Sequence, residues 1–192
     1  MRPKGARSLT PQVIGFDLSL TAPAAVALPI DWRPGDWKRV QSWLLKPKAP
    51  KGDDVRGQIE RYMIIATWAC DVVAQATGIP GAPGHYRAGC AIEAYAFSRN
   101  NAQASKLMEL GGVVRVGLFT ACGIVPETVA TSSARKLLLG KVPKSDQKIA
   151  VQRALYAAGA PKEWEENICD AFCCCHLEFS NVGGIALLLH DA

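Results

Sequence analysis

The sequence has no apolar run long enough to cross a bilayer, and its charged opening, MRPKGARSLTPQ, is not followed by the apolar core of a secretory signal. The first absence argues against a membrane-spanning helix, and the second predicts a cytoplasmic protein. Internal repeats and low-complexity tracts are also missing, so neither a solenoid nor a compositionally disordered chain is indicated. Charge is sparse: 20% of the 192 residues are charged against 49% hydrophobic, a balance that suits one domain around one core. The net charge of +5 permits a polyanionic partner without requiring one.

Cysteine, by contrast, is plentiful. The seven are an odd number, and four crowd together as Cys169, Cys173, Cys174 and Cys175. Neighbouring cysteines on a helix cannot easily bridge one another, so they read as reduced, buried, small apolar side chains. A zinc site on Cys169, Cys173 and His176 is the sharper alternative, but no second ligand pair at finger-like spacing supports it.

The most informative stretch is VIGFDLSLT, residues 13–21. Val13, Ile14 and Phe16 read as a strand buried on both faces, and Asp17 lies inside it. Burying a carboxylate is costly unless something compensates it, and a metal ion is one compensation. The alternative is that Asp17 caps the strand and bonds the turn at Ser19 and Thr21. The anomaly recurs in CAIEAYAF, residues 90–97, where Glu93 sits among apolar neighbours. Two such acids point to one shared ion more readily than to two accidents.

Around these stretches the chain reads as mixed α/β. AAVALP at 24–29 is a second strand in a hairpin with the first, and KRVQSWLL at 38–45 is a third on the same sheet. KPKAPKGDD is a polar connector. Val55, Ile59, Met63, Ala66, Cys70, Val73 and Ala74 recur at helical spacing, between Asp53 or Asp54 as cap and Gly78 as terminator. A helix from about Ala102 carries the apolar line Leu107, Leu110, Val114 and Leu118. Gly111 and Gly112 within it suggest close approach of another backbone, either the sheet or a second subunit. PETVATSS reads as extended, SARKLLLGK as a basic segment around Gly140, and SDQKIAVQRALYAAG as a helix capped by Ser145. KEWEENICDAFCCCHLEF is a last helix on which Glu166, Asn167 and Asp170 share a face.

Strand Asp, strand Glu and helix Asp in that order resemble the RuvC family of Holliday-junction resolvases, within the retroviral-integrase and ribonuclease H superfamily. The resemblance runs from about Val13 to Phe179. It rests on VIGFDLSLT, on AIEAYAF with the helix NNAQASKLMELGGVVRVGLF, and on LLLGK leading to ENICDAFCCCH. It implies a ribonuclease H-like fold with a mixed five-stranded sheet flanked by helices, and a dimeric, metal-dependent endonuclease that cuts branched DNA in recombination or repair. A phage-encoded member, acting in an infected bacterial cell, fits the small size.

What the family implies can be carried to these residues. Phosphodiester hydrolysis by two Mg²⁺ ions, with Mn²⁺ able to substitute, calls for hard oxygen ligands. Asp17 would bridge both ions, Glu93 would hold one, and Asp170 with Glu166 the other. The family places an acid three residues before its last Asp, where this chain has Asn167. Glu166 is therefore expected to supply the charge, with Asn167 as a weaker oxygen ligand. Lys144 or Lys148 would stand near the scissile phosphate, and Lys136, Lys141, Lys144, Arg135 and Arg99 would contact the DNA backbone. Phe97 or Tyr95 would wedge at a junction, and the helix bearing Gly111 and Gly112 would form the dimer seam. Rival readings are an actin-like phosphotransferase, whose second domain copy and glycine-rich loops are not seen here, and a ribonuclease H-like domain that binds without cutting. Other branched substrates or RNA/DNA hybrids remain alternatives within the nucleases.

Overall fold

A computed structural model of the chain describes residues 10–48, 54–78, 89–94 and 101–184. Its centre is β1 (Gln12–Asp17), every residue of which is buried. β2 (Ala24–Pro29) runs antiparallel to β1, and β3 (Gln41–Leu44) antiparallel to β2. On the other side β4 (Cys90–Glu93) lies parallel to β1, and β5 (Glu127–Val129) parallel to β4. The five strands form one mixed sheet in the order β3-β2-β1-β4-β5.

Helices cover both faces. α1 (Val55–Thr77) and α2 (Asn101–Cys122) pack on one side, where Ile14, Phe16 and Ile92 meet Ile65, Val72, Leu110, Val114 and Leu118. α3 (Thr131–Leu139), α4 (Gln147–Ala157) and α5 (Glu166–Asn181) cover the other, where Val13 and Ala91 meet Leu138, Leu155 and Phe172. The alternation of a strand therefore sets which side chains meet which helices. Val13, Gly15 and Asp17 share the α5 face of β1, and Ala91 and Glu93 share the α5 face of β4.

Gly15 sets the distance between sheet and helix. A Cβ there would lie 2.2 Å from the Cys175 backbone nitrogen and 2.6 Å from the Ala171 carbonyl oxygen, so only glycine lets α5 sit this close. The small Cys175 thiol completes the contact by donating to the Val13 carbonyl at 3.0 Å. All four α5 cysteines are buried and free, and burial pushes the Cys169 thiol up to about 12, which leaves it unreactive.

Several sequence expectations need correction. β3 is shorter than residues 38–45, because Trp37–Arg39 forms a 3-10 turn. The segment expected to run extended past Val129 instead turns helical at Thr131. α4 does not use Ser145 as its cap; it starts after Asp146, which holds a left-handed conformation at φ 56°. The α1 cap is Asp54, whose Oδ1 accepts from the Gly57 N–H at 2.8 Å. The apolar line of α1 turns inward only in part: Ala66 and Val73 are buried beside Tyr62, Ile65, Ala69 and Val72, whereas Val55, Ile59 and Met63 are exposed. Tyr95, Phe97 and Arg99 lie outside the described residues.

Candidate active site

Register brings the first two acids together. Phe16 pairs with Ile92, so the residues that follow, Asp17 and Glu93, end adjacent parallel strands side by side. Carboxyl ends of parallel strands are where open α/β sheets leave a crevice. Asp17 is only 6% exposed. Burial, then its hydrogen bond to Glu93, then the charges of Glu93 and Asp170 hold its carboxyl well above the usual carboxylate range, and Lys148 opposes this only in part. A negative charge on Asp17 is thus disfavoured both by burial and by the acids beside it, and a cation placed there would relieve that cost. The second Glu93 contact comes from α3, where the Thr131 hydroxyl donates to Oε1. Ser19, rather than Asp17, holds the following turn: its Oγ accepts from the Thr21 and Ala22 N–H groups, each at 3.3 Å.

Asp170, on the α5 turn that faces Gly15 and Asp17, is 2% exposed. It makes a forked ion pair with Arg135 of α3: Nε and Nη2 reach Oδ1 at 3.1 and 2.9 Å, and Nη2 also reaches Oδ2 at 3.0 Å. Arg135 Nη1 donates to Gln147 Oε1 at 3.1 Å. Lys148 adds a second cation, with Nζ 3.1 Å from Asp170 Oδ2 and 3.5 Å from Asn167 Oδ1. Burial alone would lower the Lys148 pKa, but the charges of Asp170, Asp17 and Glu93 outweigh it and raise the value. The ammonium therefore stays charged throughout the neutral range.

These groups border a cavity of about 470 Å³ lined by Asp17, Ser19, Thr21, Arg61, Glu93, Lys148 and Asn167, among others. Asn167 fixes the start of α5 to the β1–β2 turn by donating from Nδ2 to the Ala22 carbonyl at 2.8 Å.

Position separates the expected site residues. Lys148 lines the cavity, whereas Lys136, Lys141 and Lys144 are exposed and do not line it. Asn167 lines it too and also borders a second depression with Gln152, Glu165 and Glu166, whereas Glu166 borders only that second depression and does not line the cavity of Asp17 and Glu93. Arg135 is a larger correction. Expected on the DNA-facing surface, its side chain is 10% exposed and spends its donors on Asp170 and Gln147. Its helical spacing carried the signal, because Ala134 and Leu138 bury the same side of α3. Arg61 and Thr131 were not anticipated, and nothing in their local sequence marks them.

The donor set tests whether a divalent cation fits. Asp17 and Glu93 offer hard oxygens side by side at the wall of an open cavity, where burial and neighbouring acids disfavour the Asp17 charge and a cation would offset it. Asp170 does not fit as a third ligand in this arrangement, since both its oxygens are engaged by Arg135 and Lys148. Among the described residues no group of three or more His, Cys, Asp or Glu side chains is placed to hold a metal ion. Nor is any described helix long and apolar enough to cross a membrane.

No protein-family model matches the chain, and no curated protein sequence matches it. Solved structures do. Thermus thermophilus RuvC in complex with a Holliday junction substrate superposes with a TM-score of 0.62 at 17% identity, covering 90% of this chain and 96% of that one. A second Thermus thermophilus RuvC structure gives 0.59 at 19% identity, covering 90% and 97%. The chain thus has the ribonuclease H-like architecture of RuvC, a mixed five-stranded sheet flanked by helices.

Proposed function

We propose that this chain is a metal-dependent endonuclease that cleaves four-way or otherwise branched DNA. The observation that carries the reading is the hydrogen-bonded acid pair Asp17 and Glu93, at the carboxyl ends of two adjacent strands and beside the Lys148 ammonium in an open cavity. The fold likeness to a RuvC seen with a Holliday junction substrate supports branched DNA as the substrate class.

In this reading Asp17 and Glu93 hold a divalent cation, Mg²⁺ with Mn²⁺ as substitute. When bound, the cation supplies Lewis acidity toward a phosphodiester and neutralises the charge that develops in its cleavage. Lys148 presents a fixed positive charge to the phosphate oxygens. Asp170 acts through Lys148, fixing the position of the ammonium, and Arg135 in turn fixes Asp170. Lys136, Lys141 and Lys144, on the exposed α3 and α3–α4 surface, provide backbone contacts whose strength falls with salt.

Two symmetric cuts at a junction require two sites, so we assign the chain a homodimer. The candidate face lies on α1 and α2, where Met63, Val113 and Val116 line an apolar groove and Phe119 is exposed nearby. Gly112 there would meet nothing within 4 Å if given a Cβ, which leaves room for a second backbone. A second reading, a domain that binds branched DNA without cutting it, is favoured by the neutral Asn167 and by the full engagement of Asp170.

A synthetic four-way junction incubated with Mg²⁺ or Mn²⁺ distinguishes the two. Cutting by the wild-type chain that Asp17→Asn or Glu93→Gln abolishes supports the nuclease. Tight binding with no cutting of junctions, flaps or RNA/DNA hybrids would move the assignment to the silent binder.

A further inference from the structure

Arg61 belongs to α1, yet it reaches the cavity walled by Asp17 and Glu93. Its Nε is buried and has no hydrogen-bond partner among the described residues. No acid of the neighbouring α2 helix supplies the partner: Glu109 borders a different groove and accepts from the Tyr62 hydroxyl at 3.1 Å. Leaving a buried donor unpaired costs about 1–3 kcal/mol, and more when the group is charged. Folded proteins pair nearly all such groups, so an orphan donor at a cavity wall marks a place for a ligand.

Charge says what kind of ligand. The charged side chains lining the cavity are Asp17 and Glu93 on one side of the balance and Arg61 and Lys148 on the other. The two bases balance the two acids even when both acids are ionised, so a bound divalent cation would leave the cavity with excess positive charge that favours an anion. A guanidinium offers a planar set of N–H donors that matches phosphate oxygens, which a lone ammonium cannot do. Arg56, one turn earlier on the same helix, shows the contrast: it is exposed and already paired with Glu60 at 3.0 Å.

We infer that Arg61 is a phosphate-binding residue, holding a non-bridging oxygen of the DNA phosphodiester that enters the cavity. This deepens the nuclease reading and rests on it. Arg61 then approaches the phosphate from α1, while Lys148 approaches it from α4, and the two fix the strand over the acids.

The test is equilibrium binding of a labelled four-way junction to the cleavage-silent Asp17→Asn chain across a salt series, with and without a second substitution. Adding Arg61→Met is expected to weaken binding about tenfold and to reduce the log–log salt slope by about 0.7–0.9, the loss of one phosphate contact. Arg61→Lys should restore the slope but only part of the affinity, and Arg56→Met should leave both as in the parent. If Arg61→Met matches Arg56→Met while junction binding stays intact, this inference is overturned and the nuclease reading survives. A parent chain that binds no branched DNA overturns both.

Discussion

The Arg135 guanidinium grips the Asp170 carboxylate through three contacts of 2.9–3.1 Å, and both side chains are buried. An ion pair so placed gains little over a matched apolar pair, and losing Arg135 leaves the buried carboxylate with Lys148, 3.1 Å away, as its remaining cation. Arg135→Met is therefore expected to destabilise the chain by about 1–3 kcal/mol, less than a fully stranded charge would cost. The double variant Arg135→Met with Asp170→Leu should recover much of that loss. Urea unfolding of the two singles and the double measures the coupling; a double variant as unstable as the sum of the singles would contradict it.

Gly15 is where β1 and α5 touch. Gly15→Ala puts a methyl group 2.2 Å from a backbone nitrogen, which no side-chain rotation relieves. Overpacking of this kind costs about 1–3 kcal/mol or more. The helix must also shift, which moves Asp170 and Lys148 away from Asp17. Lower thermal stability together with weakened junction cleavage is expected, and a variant that keeps both would show that the close approach is not needed.

His176 is buried against Phe172 with the rings 5.6 Å apart and 8° from parallel, and burial lowers its pKa to about 4 from 6.5. The unfolded chain takes up a proton below about pH 6.5 that the folded chain refuses until about pH 4. Stability is thus lost as pH falls through that window, by up to about 3 kcal/mol from this group. His176→Leu should flatten the wild-type decline between pH 6.5 and 4 in denaturant melts. An unchanged decline would mean that His176 is not the group responsible.

Much of the fold was legible because alternation and helical period are local. β2 and α1 were read at their observed limits, and the apolar line Leu110, Val114 and Leu118 on α2 is fully buried. The acids stood out because Asp17 and Glu93 interrupt apolar runs. What the sequence hid was pairing between distant residues. Arg135 and Asp170 are 35 positions apart, and only the packing of α3 on α5 turns a presumed surface cation inward. Likewise Glu166 and Asn167 are neighbours in the chain and border one outer depression together, yet only Asn167 also reaches the cavity that holds Asp17 and Glu93. On α1 the periodicity holds for Ala66 and Val73, which are buried, but Val55, Ile59 and Met63 are apolar and point away from this chain's core.

The central claim is that a divalent cation binds at Asp17 and Glu93 and drives a proton off the Asp17 carboxyl, which its surroundings hold above the usual carboxylate range. Calorimetric titration with Mn²⁺ at neutral pH, repeated in buffers of different ionisation enthalpy, counts the protons released on binding. Binding that releases about one proton per chain, and that is lost in Asp17→Asn, is the expected result. Binding without proton release, or binding undiminished in Asp17→Asn, would contradict the claim.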